Sequence, residues 1–212
     1  HAIDDTLMGT TVVVRGEEWL PSYPLHVEIF NALGFKMPKY IHTPLIYKFN
    51  EKGNKIKISK RKHPEADMRY FDREGYDKEA VVEYLMNLIN SNFESWRANH
   101  KTADLMEFPF DGFKITANTP IFDFVKLNDV SKEIISHYTA QKCYEELLLW
   151  AKEYSLENVD YLIKDRDYVT KVLNIDREKP NPRKDIYKWS MFFDLFDYMF
   201  SVPAKFDFEN VN

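Results

Sequence analysis

The chain has 212 residues, 44% apolar and 30% charged, with a formal net charge of −5; that is long for one domain and short for two full ones. A single cysteine, Cys143, excludes an internal disulfide and any cysteine-cluster zinc site and fits a reducing cytoplasm, while six glycines argue against a glycine-loop nucleotide fold. No stretch approaches the ~20 apolar residues that span a bilayer, and the acidic start at Asp4 and Asp5 is no signal peptide. The missing initiator Met predicts a piece of a larger protein.

In chain order, the opening residues read as strand-like and charged. Thr10 to Arg15 is β-branched and predicts a buried strand ending at Gly16. Pro24 to Leu33 predicts a helix with Val27, Phe30 and Leu33 on one buried face, stopped by Gly34. Tyr40 to Phe49 is extended, although Pro44 keeps it from being an ordinary central strand. Strand, helix, strand suggests a parallel α/β unit, whose ligands gather at the carboxyl ends of strands, where Arg15 lies.

Beyond residue 62 the character turns helical. Helices are predicted over Pro64 to Glu74, Asp77 to Ile89, Asn128 to Tyr138, Thr139 to Tyr154 and Asp165 to Leu173, with Asp77 and Thr139 as N-caps. Residues Asn99 to Asn118 are looser. Arg177 to Lys184 is a Pro-rich, basic connector. A last, strongly aromatic helix over Asp185 to Phe200 needs a partner surface. Three regions follow: 1–62, α/β; 63–138, helical; and 139–212, helical.

The segment Lys57-Ile58-Ser59-Lys60-Arg61 lies in a basic stretch where Lys48, Lys52, Lys55, Lys57, Lys60, Arg61 and Lys62 are opposed only by Glu51. A solvated surface patch is the plain reading of such a run. A Lys-x-Ser-Lys run on a Gly-containing loop is also chemically suited to closing over a polyphosphate and neutralising charge as pyrophosphate leaves. No histidine has metal-ligand spacing, so no structural zinc is expected.

Three motifs occur in order: the His1 to Leu20 segment containing Arg15-Gly16-Glu17-Glu18-Trp19, then His42-Thr43-Pro44-Leu45, then Lys57 to Arg61. Together they resemble the second half of the catalytic domain of bacterial glutamyl-tRNA synthetases, which are class I aminoacyl-tRNA synthetases. The resemblance continues through Lys126 to Lys132 and Pro182 to Trp189. It implies a fold that is α/β followed by mostly α: the second half of a Rossmann-like domain with the signature loop (1–62), a helical stem-contact region (63–138) and a helical region leading to an anticodon-binding domain (139–212).

The resemblance also implies roles. Lys60, with Ser59 and Lys57, would stabilise charge on the departing pyrophosphate, more strongly in the transition state than before it. His42, Leu45, Ile46, Lys60 and Arg61 would contact ATP. Arg15 would bind the glutamate carboxylate bidentately, with His1 at the rim of the pocket; a local ion pair with Glu17 or Glu18 is the other reading of Arg15. Glu18 and Trp19 would lie near the adenylate and the tRNA 3′ end. Asp4 and Asp5 are read as capping or orienting groups.

The implied substrates are ATP with Mg²⁺ as its counterion, glutamate and the glutamate tRNA, in a cytoplasmic monomer with no DNA or membrane partner. Lys126, Lys132, Lys179, Arg183, Lys184 and Lys188 are candidate phosphate contacts, equally readable as solvated faces. The other class I signature, His-x-Gly-His, is absent, so the isolated chain is expected not to activate glutamate. Two alternatives stand beside this reading. One is a glutaminyl or non-discriminating synthetase; the other is a non-catalytic tRNA-binding paralogue, against which the intact Lys57-x-Ser-Lys60 run argues.

Overall fold

The computed structural model describes residues 1–101, 103–112, 115 and 119–200. Residues 201–212, at the end of the third expected region, lie outside that set, as does part of the 99–118 stretch. In chain order the elements are α1 (Ala2–Leu7), β1 (Val12–Gly16), α2 (Tyr23–Ala32), β2 (Lys39–Thr43), β3 (Tyr47–Phe49), β4 (Lys55–Lys57), α3 (Met68–Glu74), α4 (Lys78–Ile89), α5 (Ser91–Asn99), α6 (Phe124–Ser136), α7 (Ala140–Tyr154), α8 (Val159–Lys164), α9 (Arg166–Asn174) and α10 (Phe192–Phe200). The expected order, α/β then mostly α, is the order observed. Packing groups the chain into two compact units: His1–Lys62 with Leu85–Asp123, and His63–Tyr84 with the residues from Phe124 onward. These units cut across the three consecutive regions read from the sequence, and the helix α4 contributes residues to both.

In the first unit, β1 and β2 pair in parallel, with Arg15 opposite His42 and Gly16 opposite Thr43. The crossover between them is α2, as the strand, helix, strand pattern predicts. Pro24 sits in the first turn of α2, where its missing N–H costs nothing. Gly34 ends the helix in the left-handed region at φ 68°, and the Phe35 N–H reaches back to the Phe30 carbonyl at 3.0 Å.

Four expectations are corrected here. The opening residues form the helix α1 rather than a strand, with Asp4 and Asp5 in its first turn, where the dipole favours negative charge. β1 is not buried: Val12 and Val14 are 43% and 61% exposed, because only β2 flanks it among the described residues. The extended stretch 40–49 breaks at Pro44 into β2 and β3, which belong to different sheets. Leu33, placed on the buried face of α2, is largely exposed, and His26 is buried with Phe30 instead.

β3 and β4 form an antiparallel hairpin, and Tyr47 also bridges Ile121 on its other side. The Asn50 side-chain oxygen accepts from the N–H groups of Lys52 and Asn54, and Gly53 takes φ 75°. An Asx-type turn closed by a left-handed glycine thus fixes the register that delivers Lys57 to the end of β4.

The second unit is a helical core. Leu147, Leu162, Val169, Phe192 and Phe196 are essentially inaccessible, with Ile135, Cys143, Tyr144 and Trp189 packed beside them. The Asp77 carboxylate caps α4 by accepting from Glu79 and Ala80 N–H and from the Tyr138 hydroxyl, and the Thr139 hydroxyl caps α7, both as expected. Gly75 ends α3 at φ 80°, and a Cβ there would lie 2.9 Å from the Ser190 nitrogen and 3.0 Å from that of Trp189. The last helix is shorter than expected. Residues 185–188 are not helical, a 3₁₀ turn spans Trp189–Met191, and α10 starts at Phe192. The Trp189 N–H there donates to the Gly75 carbonyl at 2.7 Å, an external bond in place of a helical one.

Candidate active site

The parallel register places Arg15 and His42 side by side on one face of the first sheet. The Arg15 Nε–H donates to His42 Nε2 at 3.0 Å, and Nη1 lies 3.2 Å from His26 Nδ1. A guanidinium only donates, so both rings are acceptors at those nitrogens: His42 carries its proton on Nδ1 and His26 on Nε2. Burial first, and then the Arg15 charge, hold both imidazoles below the ordinary value of 6.5, which keeps them neutral.

Aromatic rings wall this group. The Arg15 guanidinium carbon is 4.5 Å from the Tyr40 ring centroid, 5.8 Å from that of Trp19 and 6.0 Å from that of Tyr23. The His1 ring lies 4.2 Å from that of His26. Two polar atoms here are buried without a partner among the described residues: Arg15 Nη2 and the Tyr40 hydroxyl. An unmet buried donor costs about 1–3 kcal/mol, and more when charged. Such a cost persists where a ligand supplies the missing acceptor. No carboxylate of the described residues pairs with Arg15, so the alternative of an ion pair with Glu17 or Glu18 is not what the structure contains. Glu17 instead accepts from the Leu45 N–H at 3.2 Å. The Glu18 carboxyl folds back over Gly16, into the space a Cβ there would need.

The other expected ATP contacts are placed as follows. The imidazole of His42 is engaged by Arg15. The Leu45 N–H is taken by Glu17, and the Ile46 carbonyl accepts from the Ile58 N–H at 3.0 Å. That last bond ties the signature segment to the strand side of the hairpin. Ser59 then opens a turn in which the Lys62 N–H reaches its carbonyl at 3.0 Å. Lys57, Lys60 and Arg61 are exposed, and none of the described residues pairs with their side chains.

Sequence reasoning missed His26, Tyr40 and Tyr23. The strand register was the available signal, since it sets residue 42 beside residue 15. The turn of α2 that brings His26 to the same place has no counterpart in any motif. Among the described residues no group of three or more His, Cys, Asp or Glu side chains is placed to hold a metal, and no helix is long and apolar enough to cross a membrane.

In chain order the first unit runs from a parallel strand pair, with Arg15 next to the carboxyl end of β1, to a hairpin followed by a cationic turn. Residues 1–98 match the family described as tRNA synthetases class I (E and Q), catalytic domain. Among curated relatives, the glutamate–tRNA ligase of Clostridium perfringens is 44% identical over 99% of this chain and 39% of its own length. That of Acetivibrio thermocellus is 44% identical over 94% of this chain and 36% of its own length. The chain therefore spans about two fifths of the length of the relatives it matches. A crystal structure of a glutamate tRNA ligase from Elizabethkingia meningosepticum, in complex with its amino acid, superposes with a TM-score of 0.72. It covers 97% of this chain and 41% of that one at 22% identity, a likeness of fold.

Proposed function

We propose that the protein carrying this chain is a glutamate–tRNA ligase, which activates glutamate with ATP and transfers it to the 3′ end of the glutamate tRNA. The observation that supports this best lies within the first unit. Among the described residues, a guanidinium is held by neutral acceptors with one donor pair unmet, and a hairpin ends in cations with no carboxylate partner.

In this reading the side-chain carboxylate of glutamate accepts from Arg15 Nη2, with His1 at the rim. The α-carboxylate attacks the α-phosphorus of ATP. A C–O–P bond forms, the bond to the β,γ-phosphates breaks, and negative charge moves onto pyrophosphate. Lys60 meets that charge as it develops, with Lys57, Arg61 and the Ser59 hydroxyl adding field and hydrogen bonds; such preorganised contacts carry most of the stabilisation in this kind of step. No protein base is required, because the nucleophile is already ionised. The tRNA 3′-terminal ribose hydroxyl then attacks the mixed-anhydride carbonyl beside Glu18 and Trp19, and AMP leaves. Mg²⁺ enters as the counterion of ATP. Leu45 and Ile46 flank the adenine from the segment between the two sheets, and His42 from its place near the end of β2.

Aminoacylation by the native protein tests this. Charging of the glutamate tRNA that collapses in Lys60→Ala is the expected result. Charging of the glutamine tRNA as well would make the enzyme non-discriminating, and tRNA binding with no charging would replace the proposal by a binding paralogue.

A further inference from the structure

We propose that His26 is a positioning residue for Arg15, one whose neutrality leaves the guanidinium's full charge available to the substrate carboxylate; the inference rests on the reading that Arg15 binds that carboxylate. The guanidinium has three edges. His42 takes the Nε–H, His26 takes one Nη1–H at 3.2 Å, and Nη2 is left buried and unmet among the described residues, with the guanidinium carbon over the face of Tyr40. Two acceptors and a stacked ring fix a planar group in both tilt and rotation, so Nη2 faces one direction only. A carboxylate in place of His26 would hold Arg15 at least as firmly. It would also neutralise the guanidinium and compete with the incoming anion. An imidazole accepts the hydrogen bond without cancelling the charge.

The fold supports this assignment of His26. It is 9% exposed on α2, where an unpaired imidazole would be costly. The charges facing it are Arg15 and the acidic Asp5, with the His1 ring against its own. Arg15 supplies the only hydrogen bond its ring makes among the described residues.

The test compares His26→Leu with His26→Asn in the native protein, since the two side chains have nearly the same shape and only Asn keeps an acceptor near the Nδ1 position. His26→Leu is expected to raise the glutamate KM roughly 10-fold or more, the scale of one hydrogen bond to a charged group. Its kcat and ATP KM should change less than about 2-fold, and His26→Asn should recover most of the loss. Equal glutamate KM values for the two variants would overturn the proposal, as would a loss confined to kcat. Should His26→Leu fail to fold, His26→Asp decides: the ion pair preserves melting while glutamate binding is lost, and wild-type glutamate affinity in that variant overturns the idea. Arg15→Ala separates the two levels. If it leaves the glutamate KM unchanged, the site reading fails and this inference with it. If Arg15→Ala raises the KM and His26→Leu does not, the positioning role alone is wrong.

Discussion

Two basic stretches of this chain look alike in sequence and differ in what their charges do. In the hairpin of the first unit, Lys57 at the end of β4 and Lys60 and Arg61 in the turn after it have no acidic partner among the described residues. In the connector of the second unit, Lys179 pairs with Asp176, Arg183 with Asp185, Lys184 with Glu133 and Lys188 with Glu74. Arg177 is committed further: it donates to the carbonyls of Leu173, Ile135 and Tyr138, at or just past the C-terminal ends of two helices. A positive charge available to a polyphosphate is one the fold has not already used. Counting lysines does not distinguish the two stretches, whereas the partners of each lysine do.

That contrast can be broken at several points. The largest expected effect is Lys60→Ala, which should slow glutamyl-adenylate formation roughly 10²–10³-fold while leaving stability within about 0.5 kcal/mol, as for other exposed, unpaired sites; single-turnover kinetics and thermal melts check both halves. Arg177→Met should do the reverse. With the Leu173 and Tyr138 carbonyls deprived of that donor and Ile135 keeping only the Tyr138 N–H, the protein is expected to lose about 2–4 kcal/mol in urea titration, with no change in the chemical step per folded molecule. Gly75→Ala should cost about 1–3 kcal/mol, since the left-handed φ and the crowding by Trp189 and Ser190 both oppose a Cβ. Lys184→Ala, removing an exposed pair with Glu133, should cost at most about 1 kcal/mol and leave the salt slope of tRNA binding unchanged.

The Arg15 group adds a pH dependence. His26 and His42 are held below their ordinary value of 6.5, by burial first and the Arg15 charge second. Below pH 6.5 the unfolded chain binds protons that the folded chain resists. The stability from these residues is therefore present above 6.5 and is lost as pH falls through the lower folded values. Asp5 opposes the shift at His26, so that residue's window is narrowed but not reversed. Melting temperature should fall over that range, and the fall should flatten in a His26→Asn, His42→Asn double variant.

The α/β start, the caps Asp77 and Thr139, the Gly34 stop and the order of the helices were legible because each rests on local chemistry. The nature of residues 2–7 was not: six residues with two acids suit a helix only through its first-turn charge, a signal too short for periodicity. The break at Pro44 was visible as a proline, but the separation of β2 and β3 into two sheets depends on Tyr47 finding Ile121, far along the chain. In the site, the signature segment and Arg15 were legible as motifs. The histidine acceptors were not, because they depend on strand register and helix packing, and no spacing rule encodes a neutral partner for an arginine.

The measurement that tests the central claim most directly is pyrophosphate exchange by the native protein with ATP, glutamate and the glutamate tRNA, comparing Lys60→Ala with Lys184→Ala. Exchange that collapses in the first variant and persists in the second is the predicted result. Equal exchange in both would contradict the distinction between unpaired and committed cations, and with it the role proposed for the hairpin turn.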